Sequence, residues 1–241
     1  MQQEPIGDPY ILYEDDRLVA TWKPNRMLVH RTKLDYYERQ NLRRWLADKL
    51  NQKVDPIHRL DKPTSGIVLF AKDVDALNHV KQQFLEHTVR KEYIALVRGY
   101  TEPDGSIEKP LQKEGSTEAK EAFTYYETTK HVEVPIEVSR YPQSRYSIVR
   151  VQPRTGRFHQ IRLHFSHLRH PIVGDSKHGD RKHNHMFRDE LKLAPLFLHA
   201  QKLTFKHLDG CQIVIHAPLP PHFLEIERKW DWQLGAGVTH G

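Results

Sequence analysis

The sequence predicts an α+β protein, and three observations predict it. Short apolar runs rich in β-branched residues recur between turn residues, as strands do. A few segments carry apolar residues at helical spacing instead. The two kinds of segment do not alternate strictly, as they would in a doubly wound parallel fold. At 241 residues the chain can bury a sizeable core, as one large domain or two small ones. We expect one α+β domain over residues 10–230, between tails at 1–9 and 231–241.

In chain order, Tyr10 to Tyr13 and Leu18 to Trp22 read as two strands joined by the acidic turn Glu14-Asp15-Asp16-Arg17. Leu42, Trp45, Leu46 and Leu50 predict a helix over roughly residues 38 to 50. Ile67 to Ala71 reads as a buried strand, punctuated beforehand by Pro63 and Gly66. Asp73 is the expected N-cap of a second helix, whose apolar face is Leu77, Val80 and Phe84. Val89 to Tyr100 predicts a strand ending at Gly99. The polar span from Thr101 to Lys120, with two prolines and two glycines, predicts a loop or irregular hairpin. Strands are expected near Phe123 to Glu127, Val132 to Val138 and Ser147 to Val151. A third helix is expected from about Phe158 to Leu168, with Phe158, Ile161, Phe165 and Leu168 on one buried face and His159, Arg162, Ser166 and Arg169 beside it. Alternation returns through Leu196 to Phe205 and Ile213 to His216, so the lone Cys211 reads as a buried strand thiol.

Composition narrows the function. Mean hydropathy is −0.71, and no apolar run approaches the roughly 20 residues of a membrane helix. The N-terminal Met-Gln-Gln-Glu-Pro-Ile-Gly-Asp lacks the basic start and apolar core of a signal peptide, so a cytoplasmic location is the default. The net charge of +6 is concentrated. From Arg140 to His185 there are eight Arg and two Lys against two Asp, so the rest of the chain is slightly negative. Seven of the 17 histidines lie there too. A segment of nearly one sign predicts a polyanion partner, because solvated faces usually mix signs.

The stretch His58-Arg59-Leu60-Asp61-Lys62-Pro63-Thr64-Ser65-Gly66 sets one carboxylate on a turn just before the buried strand. Rigidly supported loops commonly carry reacting groups. Asp is also a favoured turn residue, so locally Asp61 reads equally well as a turn cap.

Three segments resemble the RluA-type pseudouridine synthases, in family order and spacing over roughly residues 10 to 225. The first runs from Glu14-Asp15-Asp16-Arg17-Leu18-Val19-Ala20 through Lys23-Pro24 to Leu28-Val29-His30. The second is His58-Arg59-Leu60-Asp61 with Thr64-Ser65-Gly66, then Lys91-Glu92-Tyr93 and Gly99. The third is Thr155-Gly156-Arg157-Phe158-His159-Gln160-Ile161-Arg162, continuing to His170-Pro171-Ile172 and Gly174-Asp175. Arg140-Tyr141-Pro142, Leu168 to Asp180 and Leu198-His199-Ala200 resemble more finely the branch that acts on transfer RNA. Two departures stand out: Asn25-Arg26 where the family has a small residue and Gly, and Trp22 where a small or polar residue is commoner.

The resemblance implies the pseudouridine synthase fold, a mixed and largely antiparallel sheet flanked by helices, with the active-site cleft across the sheet. It implies an isomerase that breaks the uridine N1–C1′ bond, turns the uracil and rejoins it through C5. No atoms enter or leave, so no cofactor or metal is implied. Asp61 is implied as the catalytic carboxylate, with attack on base or on sugar both open, and Arg162 as the cation that keeps it ionised. Arginine suits this because its fork holds a carboxylate bidentately without losing charge. Tyr93 is implied to stack on the uracil, with a part in removing the C5 proton, although a strand Tyr is also a common core residue. A uridine in a stem must be flipped out, and Arg59 is a candidate either to fill the gap or to hold a phosphate.

For RNA contacts the exposed-type cations Arg157, Arg169, Lys177, Arg181 and Lys182 join Arg59. His159, His164, His167 and His170 lack converging Cys or carboxylate partners, so they read as solvated residues near RNA phosphates rather than a metal site. The partner expected is RNA, transfer RNA first, with no membrane and no obligate protein partner. The implied target lies in the acceptor-proximal TΨC arm, of the position 65 type. Since the chain shows no appended N-terminal RNA-binding domain, the basic stretch is the expected grip. The competing readings are a ribosomal RNA synthase of the same family and an RNA-binding protein that has kept the fold without turnover.

Overall fold

The computed structural model describes residues 7–30, 40–112, 115, 117–138 and 142–230, and the chain packs as two compact units. Arg140 and Tyr141, the start of the predicted helix at 38–39 and the chain ends at 1–6 and 231–241 lie outside the described residues.

The first unit comprises Met1–Lys91 with Ala200–Pro218. Strands β1 (Tyr10–Glu14) and β2 (Leu18–Lys23) form the expected hairpin. The Asp15 carboxylate closes its turn by accepting from the Arg17 and Leu18 amides, each at 2.7 Å. Helix α1 (Leu42–Leu50) is capped by Asn41, and strand β3 (Asp55–Pro56) lies against β4 (Ser65–Ala71). Helix α2 (Val74–Leu85) has the predicted Asp73 cap, which accepts from the Ala76 amide. Strand β2 pairs antiparallel with β4, so Leu18, Ala20 and Trp22 stand opposite Ala71, Leu69 and Ile67 on one buried face. Ala76 and Val80 of α2 pack on this cluster, as do residues from two later strands. Trp22, one of the two departures, stacks on Tyr10 and donates its indole N–H to the Pro218 carbonyl.

The second unit comprises Glu92–His199 with Leu219–Gly241. Strand β5 (Arg90–Arg98) enters it from the first. Strands β6 (Asp104–Glu108), β7 (Leu111–Gln112) and β8 (Ala119–Lys120) follow, β7 and β8 forming a small hairpin. Next come β9 (Phe123–Val134) and β10 (Ser144–Pro153), helices α3 (Gln160–His167) and α4 (Arg181–Asp189), and α5 (Pro221–Trp230). The sheet order is β5-β10-β9-β6, with antiparallel pairings. Phe165, Phe187, Phe197 and Phe223 fill its core with Leu96 and Tyr146. Strand β11 (Leu198–Lys206) then carries the chain back, its last residues pairing with β12 (Gln212–His216). The α+β class and the largely antiparallel sheet thus match the sequence reading.

Several local expectations need correction. The two strands expected at 123–127 and 132–138 are one strand, β9. A β-bulge at Thr129, whose hydroxyl donates to the Ile148 carbonyl at 3.0 Å, carries the pairing through a polar run that reads as a break. Helix α3 starts two residues late and ends at His167, and both Phe158, before it, and Leu168, its C-cap, are exposed. Its start is fixed by the buried Gln160 carboxamide oxygen, which accepts from the Thr155 hydroxyl and the Arg157 amide. Cys211 is exposed, because the turn before β12 extends to it and its amide donates to the Asp209 carboxylate.

Gly66 is among the glycines required by close approach. The second residue of β4, it adopts φ +118°, and a Cβ there would lie 2.3 Å from the Ala200 carbonyl oxygen. Replacing Gly66 with Ala is expected to cost at least about 3 kcal/mol, since both the dihedral and the contact oppose a side chain. Denaturant unfolding checks this, and a loss below about 1 kcal/mol would be the wrong result.

Candidate active site

Within the first unit, the turn bearing Asp61 is held from beneath by a buried lysine. Asp61 is half-buried, and its carbonyl accepts from the Thr64 amide at 3.0 Å, which closes the turn. Lys23, the last residue of β2, is fully buried. Its Nζ donates to the carbonyls of Pro24 at 2.9 Å, Met27 at 2.8 Å and Lys62 at 3.1 Å. An ammonium has three donors, and three backbone acceptors match them. The Asn25 carboxamide adds a 2.6 Å bond to the Pro63 carbonyl. Thus the Lys23-Pro24 loop and the Asp61 turn share one set of bonds. Burial brings Lys23 down to about 7, with Lys62 acting the same way, while the negative Asp61 opposes both. Arg26 follows at φ +66°, the left-handed region where glycine is at ease. The Arg26 departure therefore keeps the backbone conformation a glycine would adopt, at the expense of some strain.

His58 anchors the other end of the turn. Its Nε2 accepts the Leu69 amide at 3.1 Å, and its ring stacks on Phe84. Burial, aided by the charge of Lys91, holds its pKa down to about 3, so the ring stays neutral and remains an acceptor. Burial also lowers Lys91 to about 8. Arg59 lies exposed between His58 and Leu60.

In the second unit, Tyr93 lies on β5 opposite Val151, half-buried against the core. Arg162 is only 4 % exposed, and its Nε and Nη2 donate to the two Asp175 oxygens at 2.7 and 2.8 Å. Asp175 also accepts from the Lys177 and His178 amides, both at 3.0 Å. Burial pushes the Asp175 carboxyl up, but Arg162 and these two amides outweigh it and hold it below its ordinary value. Breaking such a pair from one side would strand a buried charge. The fork of Arg162 is therefore fixed in orientation by a carboxylate of its own unit.

The expected RNA contacts fall into distinct settings. Arg157 is exposed and donates Nε to the Glu121 carbonyl, while Arg169 is exposed at φ +63°. Lys177, Arg181 and Lys182 are exposed, the last two in the first turn of α4. Cations there oppose the helix dipole, and the Asp180 cap compensates. The basic stretch is not uniformly solvent-facing, however: Arg145 pairs with Glu133 and Arg150 with Glu127 on neighbouring strands, and Arg162 is buried. The histidines also differ from the solvated set expected. His164 is fully buried between the Thr124 hydroxyl and the Lys109 carbonyl, His170 bonds the Arg98 carbonyl, and His159 bonds His178. Sequence reasoning gave no role to Lys23 or Asp175. A lysine ending an otherwise apolar strand was the available signal for Lys23, and an acid inside a basic segment was that for Asp175.

The fold and these two constellations define a class, and comparison with known proteins agrees. The RNA pseudouridylate synthase family model matches residues 17–167, a span that holds Lys23, Asp61, Tyr93 and Arg162. The chain belongs to this family, the RluA-type RNA pseudouridylate synthases, which are isomerases. Among individual relatives, it is 40% identical over 233 residues to the tRNA pseudouridine synthase C of Vibrio parahaemolyticus, covering 92% of this chain and 95% of that one. It is 41% identical over 237 residues to the protein of the same name from Pasteurella multocida, covering 94% and 98%. Among solved structures, human RNA pseudouridylate synthase domain containing 4 superposes with a TM-score of 0.69 at 25% identity, covering 91% of this chain and 92% of that one.

The neutral His58 makes stability pH-dependent, with a definite sign. Its ordinary pKa is about 6.5, so below that the unfolded chain takes up a proton that the folded chain refuses until about pH 3. The contribution is complete above pH 6.5 and is lost as pH falls towards 3. Between pH 7 and 4.5 the loss from this group should be about 2.5 kcal/mol. His164 and His183 are shifted the same way, so the contrast with His58→Gln isolates the effect. Denaturant unfolding at pH 7 and 4.5 should show a smaller acid loss in His58→Gln than in the parent. Equal losses would show that His58 is not held neutral.

Proposed function

We propose that this protein is a tRNA pseudouridine synthase with Asp61 as its catalytic carboxylate. One observation carries the assignment of Asp61: its turn is fixed by a buried lysine whose charge faces it, which is more support than a solvent-facing turn cap needs. The reaction requires a carboxylate that a flipped uridine can reach, and a half-buried side chain on a rigid turn meets that demand. Tyr93 acts as the ring that stacks on the uracil and takes part in removing the C5 proton. Arg162 acts in catalysis more than in RNA affinity, its planar fork being what a lysine could not replace. Arg59 enters the stack left by the flipped nucleotide, while Arg157, Arg169, Lys177, Arg181 and Lys182 hold phosphates.

Transfer RNA is the substrate favoured by the relatives, which are called tRNA pseudouridine synthase C and match nearly the whole chain. We place the target uridine in the acceptor-proximal TΨC arm, a compact folded element that is recognisable by shape and backbone. The protein acts without a cofactor, since the isomerisation gains and loses no atoms.

Asp61→Asn keeps the shape of the side chain and removes the charge. We expect it to fold cooperatively, with a lowered unfolding midpoint because the charge opposite Lys23 is gone, and to form no detectable pseudouridine, measured by tritium release from C5-labelled RNA. Turnover near the parent level would remove Asp61 from the mechanism. Incubating the parent enzyme with unmodified transfer RNA and with ribosomal RNA fragments, then mapping pseudouridine chemically, tests the substrate. Modification of ribosomal RNA alone would overturn the transfer RNA assignment and leave the isomerase standing.

A further inference from the structure

We infer that Phe158 and His159 form a stacking platform for an unpaired nucleobase of the RNA substrate. This rests on the proposed action on RNA and adds a recognition element distinct from the residues assigned to catalysis.

Phe158 is 43 % exposed and contributes nothing to the buried core of its unit, although it sits between core residues of β10 and α3. Its ring lies flat on that of His159, with centroids 3.8 Å apart and planes 18° from parallel. His159 is in turn fixed edge-on to His178, and its Nδ1 is 2.8 Å from the His178 Nε2. The exposed ring is therefore braced rather than loose. The brace is maintained against backbone preference. His159 adopts φ +52° as the N-cap of α3 and makes no side-chain capping bond, so capping does not explain its presence. A glycine would take that conformation without strain, and strained residues of this kind cluster where a side chain is needed for function.

The surroundings fit a nucleotide. Arg157 precedes the platform and Lys177 adjoins His178, both exposed, so cations flank the rings as phosphates would require. An exposed aromatic ring accepts the face of any base, and RNA-binding surfaces combine such rings with flanking cations. Helix α3, which the platform opens, also carries Arg162 one residue beyond Ile161. A base held here would orient the RNA relative to that helix.

The test is binding of an unmodified transfer RNA transcript, followed by fluorescence anisotropy over a range of salt. Phe158→Ala and Phe158→Leu should each weaken affinity by about tenfold, the scale of one lost base stack. Phe158→Trp should stay within about twofold of the parent. The salt slope should be the same in all four proteins, because no phosphate contact is removed. The leucine variant keeps the apolar bulk, so parent-like affinity there would overturn the platform. Unchanged affinity in the alanine variant, or an affinity loss that tracks a flatter salt slope, would overturn it too. A parent protein that neither binds RNA nor forms pseudouridine would instead defeat the functional reading, and the platform with it.

Discussion

The three bonds from the Lys23 ammonium to the carbonyls of Pro24, Met27 and Lys62 are the interaction on which the candidate catalytic turn depends. Removing an ammonium from water costs several kcal/mol, so a buried lysine persists only when its donors are met and a counter-charge is near. Here all three donors meet carbonyls, and Asp61 supplies the opposing charge. The same bonds join the end of β2, the loop after it and the Asp61 turn into one piece. Gly66 stands opposite Lys23 in the strand register and lets β4 approach Ala200. Arg26, in the same loop, is half-buried and adopts φ +66°.

The second unit solves a related problem differently. Arg162 is held by a buried carboxylate, Asp175, which is itself stabilised by two backbone amides. Next to it, the Gln160 carboxamide ties the Thr155 turn to β9, donating to the Phe123 carbonyl and the Thr124 hydroxyl. His164 meets the same Thr124 hydroxyl one helical turn later. The segment Thr155 to Arg162 is thus fixed by polar bonds within its own unit, and its exposed part is Gly156, Arg157 and Phe158. Polar residues that read as RNA contacts in the sequence are in several cases the scaffold that aims the exposed ones.

Local signals were legible where neighbouring residues decide the outcome. The Asp73 cap, the buried Ile67 strand and the β1–β2 turn each depend on a few adjacent residues, and each appears where the sequence places it. The Asp61 turn was legible for the same reason. What the sequence hid depends on contacts distant along the chain. Helical spacing assigns Phe158 to a buried face, but Gln160 reaches back to Thr155 and across to β9 and starts the helix later. The continuity of β9 rests on a bulge against β10, which no local pattern announces. Lys23 is 39 positions from the carbonyl it shares with the Asp61 turn, and Arg162 is 13 from Asp175, so their roles emerge only on folding.

The most direct test is a titration of the Lys23 ammonium by NMR, with the side chain labelled at Nζ and Cε. The buried site predicts a pKa near 7, well below the ordinary lysine value of about 10.5. It also predicts a further fall in Asp61→Asn, because Asp61 is the charge that holds the value up. A Lys23 that titrates near 10.5, or that does not respond when the Asp61 charge is removed, would contradict the account.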